Sequence, residues 1–282
     1  MSRTVPAPIT PSRFLTRGAV TPEHAAYLKA VRLRRLAVLA VQIGIVVCFF
    51  WLWEYAADHR WIDPFITSQP SRMWATLVNL SVSGQIWRHV GTTVAETIAG
   101  FTGGTVLGVL VAIMLWWSDF LSRVLDPYLV VLNATPKEAL GPVFIVWLGA
   151  GVQAILVMAL AVSVVVTILM VYSGFRQVDE NKVKLVRTFG ARRWQILTKV
   201  ILPASVPTIV SALKVNVGLS LIGVIVGEFL VSRAGLGYLI IYGGQVFQLS
   251  LVMTSVFILI AVAAVLYQLV SYLERAFTRW RA

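Results

Sequence analysis

Five apolar runs, Leu36–Tyr55, Val90–Trp117, Val152–Tyr172, Thr208–Leu230 and Leu249–Leu273, leave this chain few folds to choose from. Each has the length, about 20 residues, that a helix needs to cross a bilayer. A sixth run, Leu125–Gly149, is interrupted by Pro127, Pro136 and Pro142 and contains Lys137 and Glu138, so it reads as a broken crossing. Only 13% of the 282 residues are charged, 58% are hydrophobic and the mean hydropathy is +0.82, against about 25% charged for an ordinary soluble domain. The expected fold is an all-α membrane protein with six transmembrane helices.

The single cysteine, Cys48, lies inside an apolar run, which excludes a disulfide framework or a cysteine-based metal site within one chain. No metal site is expected. Residues 1–35 are polar, hold seven Lys/Arg and lack a cleavage site after a short apolar core, so they read as a cytoplasmic tail rather than a signal peptide. Residues 36–282 then form one membrane domain containing a long polar loop, 175–207.

A net charge of +12 invites a nucleic-acid reading, but the basic residues follow topology instead of gathering on one polar face. With six crossings, segments 1–35, 118–123, 173–205 and 274–282 share one side and hold 18 Lys/Arg. Segments 56–89 and 231–248 face the other side and hold 4. The excess of positive charge marks the cytoplasmic side, so both termini and the 175–207 loop are expected there.

On the outer side, Ser71–Leu80 shows helical spacing with Ser71 as its cap. Trp51, Trp53 and Trp61 are expected at the outer interface, and Trp116 and Trp117 at the inner one. Gly100, Gly104 and Gly108 in the second run, and Gly223 and Gly227 in the fifth, are spaced four apart, the pattern that lets membrane helices approach closely.

The 175–207 loop is built as a docking element. From Asn181 to Phe189, Val183 pairs with Val186 and Leu185 with Phe189 among Lys182, Lys184 and Arg187, the pattern of a short amphipathic helix. Gly190 is placed to end it in the left-handed conformation. A second short helix is expected over Arg192–Ile201, with Ala191 and Trp194 at its start, and Leu202, Pro203 and Pro207 where a membrane helix begins.

This loop resembles the EAA loop of ABC importer permeases: E-A-A, three residues, Gly, nine residues, Ile-x-Leu-Pro. Gly190 is followed after nine residues by Val200-Ile201-Leu202-Pro203. Residues 136–151, PKEALGPVFIVWLGAG, and 227–240, GEFLVSRAGLGYLI, are similar to the nitrate, sulfonate, taurine and bicarbonate branch of that family. The chain departs from the pattern where the triplet should stand, since Lys184-Leu185-Val186 replaces Glu-Ala-Ala. The resemblance implies a type I importer permease fold with a cytoplasmic coupling helix. It implies a multi-pass subunit of the bacterial inner membrane, two ATP-binding subunits, a second permease subunit that is either another copy, giving a homodimer, or a near relative, and an extracytoplasmic solute-binding protein. Docking to the ATP-binding subunit would fall to Val183, Lys184, Val186, Arg187, Phe189, Gly190, Ala191, Trp194, Leu202 and Pro203. Asp179 and Glu180, or an acidic residue of the partner, would offset Lys184. No GxxxxGK[ST] loop occurs, so ATP and Mg would be bound by the partner subunits, and this chain would be a transport subunit rather than an enzyme.

A charge inside the membrane costs about 2.5 to 3.5 kcal/mol on insertion scales, so such residues face a cavity or a partner. Lys137 and Glu138 are candidates for the translocation path or for pairing that holds the kink. Glu96 is expected to pair with Lys137 or Arg88, and Glu228 to meet either an external protein or a neighbouring helix. Asn133, Thr135, Asn216 and Ser220 are path candidates that would otherwise bond between helices. Residues 232–248, rich in glycine, read as a re-entrant or gating element.

Lys137, Arg88 and Arg233 point to a small anionic solute such as a sulfonate, nitrate or carboxylate, while an aromatic or pyrimidine-type compound stays open. A secondary transporter would show broken helices in both halves, and only one run is broken. A membrane enzyme would need converging groups, and His24, His59 and His89 fall far apart.

Overall fold

The computed structural model describes residues 22–278, and these are helical almost throughout. Helix α1 runs Pro22–Asp58 and is a unit by itself. It begins 14 residues before the expected span, so residues 22–35, read as tail, continue the helix, while residues 1–21 lie outside the described part. Its last turns stack aromatic rings, with Trp51 and Tyr55 at 5.3 Å, where interfacial anchors were expected.

The second unit starts at Ala57. A short turn of helix, α2 (Pro64–Thr67), leads to α3 (Pro70–Val82), which starts one residue before the expected Ser71. Pro70 takes the first turn, where its missing N–H costs nothing, and Gln69 stands at the cap. Helix α3 buries Met73 and Leu80, and the Thr254 hydroxyl donates to the Met73 carbonyl.

Helix α4 (Gln85–Trp117), α7 (Val152–Arg176), α10 (Leu202–Val231) and α12 (Leu249–Thr278) are long and apolar enough to cross a membrane, as is α1. Between α4 and α7 lies the broken run: α5 (Asp119–Ala134), a 3₁₀ turn at Lys137–Leu140, and α6 (Gly141–Leu148). Its two halves meet at 87°, so among the described residues five spans stand clear, and the count reaches the expected six only when the bent pair is taken as one span. Pro136 sets the bend, because the residue before a proline is pushed out of the helical region and Thr135 has ψ 132°.

Helix α7 is the centre of the bundle, with α4 on one side and α10 on the other. The glycine rows explain the close approach. A Cβ on Gly100 would lie 2.6 Å from that of Ala159, one on Gly108 would lie 2.6 Å from Thr167, and one on Gly104 would collide with the Ser163 hydroxyl. From the other side, a Cβ on Gly223 would lie 2.6 Å from the Cα of Ala159, and one on Gly227 3.0 Å from the Cα of Ile155. Lipid removes the hydrophobic drive for helix association, so contact between bare backbones has to supply it.

The polar loop folds as α8 (Glu180–Thr188), α9 (Arg193–Ile196) and a π turn at Leu197–Ile201 that leads into α10. The expected second helix is therefore half α and half π. Pro207, expected at the start of the membrane helix, lies inside α10, and Pro203 occupies its first turn. Residues 232–248 form α11 (Leu236–Gln245), packed on α12 through Leu236, Leu239 and Leu251.

Candidate functional site

At the end of the bundle where α4 and α7 finish, local chemistry fixes the α8 arm. The Asp179 carboxylate accepts from the Asn181 N–H at 2.8 Å and caps α8. At the other end Gly190 has φ 79°. Its N–H donates to the Arg187 carbonyl at 2.9 Å, and the Ala191 N–H to the Val186 carbonyl at 3.3 Å. These two bonds are the Schellman ending that a glycine makes inexpensive. Gln195 then accepts from the Arg192 N–H at 2.8 Å and starts α9.

Helix α8 has two apolar faces. Val183 and Val186 are half-buried and, with Ala191, pack against Phe175, Ile196, Leu197 and Ile201. The last three are 0 to 2% exposed, and burial of each such side chain is worth about 2 kcal/mol. Leu185 and Phe189 point the other way, 57% and 80% exposed. Trp194 is exposed as well and meets Trp117 at 6.5 Å, while the Arg193 guanidinium donates to the Trp117 carbonyl at 2.8 Å. Leu202 is half-buried and Pro203 exposed at the start of α10. The residues expected to couple thus divide: Val183, Val186, Ala191 and Leu202 seat the arm on the bundle, Phe189 and Trp194 are exposed away from it, and Lys184 and Arg187, also exposed, line a cleft between α8 and the bundle. The Lys184 ammonium lies 3.2 Å from Glu180 one turn before it, an exposed pair, so Glu180 does supply an acidic contact from within the chain. Lys184→Glu is expected to change the stability of the permease alone by no more than about 0.5 kcal/mol, checked by its thermal unfolding in detergent.

The residues assigned to the path fall into two groups that the fold keeps apart. Asn133 is exposed and Thr135, Lys137 and Glu138 are half-buried on the bent α5/α6 pair. The Lys137 ammonium donates to the carbonyls of Asn133 at 3.2 Å and Thr135 at 3.5 Å, so it satisfies the frayed end of α5. Asn216, Ser220 and Glu228 are buried inside the bundle, 0 to 1% exposed. The Asn216 amide donates to the Thr105 hydroxyl at 2.7 Å, which joins α10 to α4.

Glu96 meets neither Lys137 nor Arg88. Its carboxyl faces that of Glu228, and this corrects the expected pairing. Glu228 belongs to a buried node at the other end of the bundle. The Thr93 hydroxyl donates to its Oε1 and the Gly237 N–H to its Oε2, both at 2.6 Å. The Leu236 N–H donates to the Thr93 hydroxyl at 2.8 Å, and the Gly235 N–H to His89 Nδ1 at 3.0 Å. Successive N–H groups at the start of α11 therefore end on side chains of α4 and α10. Gly235 has φ 121°, and a side chain there or at Gly237 would strike the Glu228 carboxyl. The sequence singled out Glu228 and the glycines, weighed His89 only as one of three scattered histidines and passed over Thr93; the signal present was an acidic residue followed by glycines seven and nine positions on. Glu228→Ala is expected to cost about 2 kcal/mol by stranding the buried Gly237 N–H, and Gly235→Ala to lower the unfolding midpoint as well. Unchanged midpoints for both would remove the node's structural role.

The model of the family described as "Binding-protein-dependent transport system inner membrane component" matches residues 104–281. The chain belongs to this family. This binding-protein-dependent permease is 29% identical over 231 residues to a putative aliphatic sulfonates transport permease of Bacillus subtilis, with 82% of this chain and 83% of the relative covered. It is 27% identical to a riboflavin transport system permease of Chloroflexus aurantiacus over 86% of this chain and 90% of the relative. Among solved structures, an inward-facing methionine ABC transporter aligns with a TM-score of 0.62 and 21% identity, covering 70% of this chain and 97% of that one. At that identity the likeness establishes the fold, that of a type I importer permease. As a permease of this family the chain is a multi-pass transport subunit of an ABC importer, not an enzyme.

Proposed function

We propose that this permease moves a small anionic solute of the sulfonate, nitrate or carboxylate class, delivered by an extracytoplasmic solute-binding protein, and that ATP hydrolysis on two partner subunits drives it through the α8 arm. ATP and Mg are held by those partners. The working unit pairs two copies of this chain, with both termini and α8 on the cytoplasmic side.

The observation that carries this reading is the division of α8. One face is sunk into the core shared by α4, α7 and α10, and the other presents Leu185 and Phe189 to a partner. A push on the outer face is transmitted as a rigid-body tilt, since Ile196, Leu197 and Ile201 at the root of α10 are buried in the same core that seats Val183 and Val186. The π turn offers the place where α10 absorbs the change of direction.

The anionic solute is supported by Arg88 and Arg233, both exposed at the end of the bundle that carries α11, and by the sulfonate relative. The solute would pass along the open face of the bent α5/α6 pair, past Asn133, Thr135, Lys137 and Glu138. Asn216, Ser220 and Glu228 would hold the bundle behind it.

Reconstitution in proteoliposomes with the cognate ATP-binding subunit and binding protein tests the proposal. ATP-dependent uptake of an alkanesulfonate is the expected result, with competition by other small anions and none by riboflavin. Preference for an uncharged heterocycle would overturn the anion assignment, and uptake that persists without the ATP-binding subunit would overturn the coupling.

A further inference from the structure

We propose that the cleft between α8 and the bundle binds the phosphate headgroup of an anionic phospholipid. The cleft has a volume of about 560 Å³ and is lined by the cations Arg123, Arg176, Lys184, Arg187 and Arg193, against the two carboxylates Asp119 and Glu180. Glu180 is already engaged by Lys184 at 3.2 Å. Arg123 and Arg187 have no ion pair among the described residues, and Arg176 lies over the Tyr172 ring at 5.9 Å. Positive charge therefore outweighs its local partners in a space larger than a simple ion requires.

Position supplies the second argument. The candidate spans of α4 and α7 end at Trp117 and Arg176, and the span containing α10 begins at Arg193. Arg176, Arg193 and Trp116, the neighbour of Trp117, all line the cleft, so it opens at the level where hydrocarbon gives way to water. Basic pockets between helices at that depth suit anionic lipid headgroups.

The walls are amphipathic as well. Beside the cations stand the half-buried Trp116, Tyr172, Val178 and Val183, which would contact the glycerol and the upper acyl chains. A free phosphate would gain nothing from them.

The site takes in Lys184 and Arg187, which the loop resemblance assigns to docking, but lies on the side of α8 opposite Leu185 and Phe189. At about 100° per residue, Val183, Arg187, Glu180 and Lys184 fall on one side of α8, and Leu185 and Phe189 on the opposite side. An ATP-binding subunit seated on Leu185 and Phe189 leaves the cleft facing the membrane. Headgroup binding would then brace the arm against α5 and α7.

Native mass spectrometry of the detergent-purified permease, exposed separately to phosphatidylglycerol and phosphatidylcholine, tests the site without any partner subunit. Its result is thus independent of whether the coupling proposal holds. One phosphatidylglycerol retained per chain is expected, with no comparable retention of phosphatidylcholine and no displacement by inorganic phosphate. Arg123→Gln with Arg176→Gln is expected to weaken retention roughly thirtyfold, from about fivefold per basic residue at a membrane surface. Equal retention of the two lipids by the unaltered protein, or unchanged retention in the double variant with an unchanged unfolding midpoint, would overturn the site. Displacement by inorganic phosphate would make it a free-anion site. If the isolated double variant instead keeps its lipid and the same variant, purified separately with the ATP-binding subunit co-expressed, fails to hold that subunit, the cleft belongs to a protein interface and the lipid assignment fails.

Discussion

Replacing Leu185 and Phe189 together by Asp is expected to abolish ATP-driven uptake and release the ATP-binding subunit from the purified complex, while the permease itself unfolds at its ordinary temperature. Both side chains are mostly exposed and belong to none of the buried clusters, so the fold of the isolated chain does not draw on them. Apolar anchors of this kind cost about 2 to 4 kcal/mol each when lost from an interface, and a carboxylate in their place adds the burial of an unpaired charge. Val183→Asp provides the contrast. Val183 packs against Phe175 and Ile196, so that change is expected to lower the unfolding midpoint before any partner is added. Co-purification, uptake and thermal unfolding of the two variants side by side separate the faces. Full uptake with the Leu185/Phe189 double variant would mean the arm does not couple through its exposed face.

Gly223→Ala is expected to destabilise the bundle by about 3 kcal/mol, at the upper end of overpacking costs. The added methyl would lie 2.6 Å from the Cα and 3.0 Å from the N of Ala159, and 3.0 Å from the Met158 carbonyl, all backbone that cannot swing aside. Gly218→Ala, one and a half turns earlier in the same helix, meets nothing within 4 Å and is expected to be neutral or slightly stabilising. Alanine is the better helix former by about 1 kcal/mol, so propensity alone predicts the same gain at both sites. Thermal unfolding in one detergent decides between them, and equal midpoints would mean α7 and α10 are not in backbone contact at Ala159.

What the sequence made legible follows the range of the physics involved. Spans were readable because hydrocarbon demands about 20 apolar residues in a row, and α4, α7, α10 and α12 lie where the runs predicted. The α8 arm was readable because its signals are local: an acidic cap at Asp179, apolar spacing over 183–189 and a glycine at the end. The start of α1 at Pro22 was not legible, because a basic, polar stretch gives no apolar run to mark it even where it is helical. The π turn was invisible, since nothing in Leu197–Ile201 distinguishes a five-residue hydrogen-bond step from a four-residue one.

The buried polar groups show the limit most clearly. Glu96, Asn216, Ser220 and Glu228 stood out as costly in a membrane, but composition does not say which helix face meets which. Lys137 was a reasonable partner for Glu96 by charge; the fold instead turns Lys137 back onto the end of the preceding helix, α5, and sets Glu96 against Glu228. Thr93 was passed over and His89 set aside as a scattered histidine, because a threonine and a histidine near a helix start have many ordinary uses.

The sequence by itself determined that this is a multi-span helical permease with a basic amphipathic loop helix, because span length, charge asymmetry and the loop pattern are properties of contiguous residues. Only the tertiary structure decided that Glu228 anchors α11, that the two faces of α8 do different work, and that cations from α5, α7, α8 and α9 surround one cleft. These depend on how helices rotate about their axes when glycine and alanine backbones come into contact, and no stretch of sequence carries that information alone.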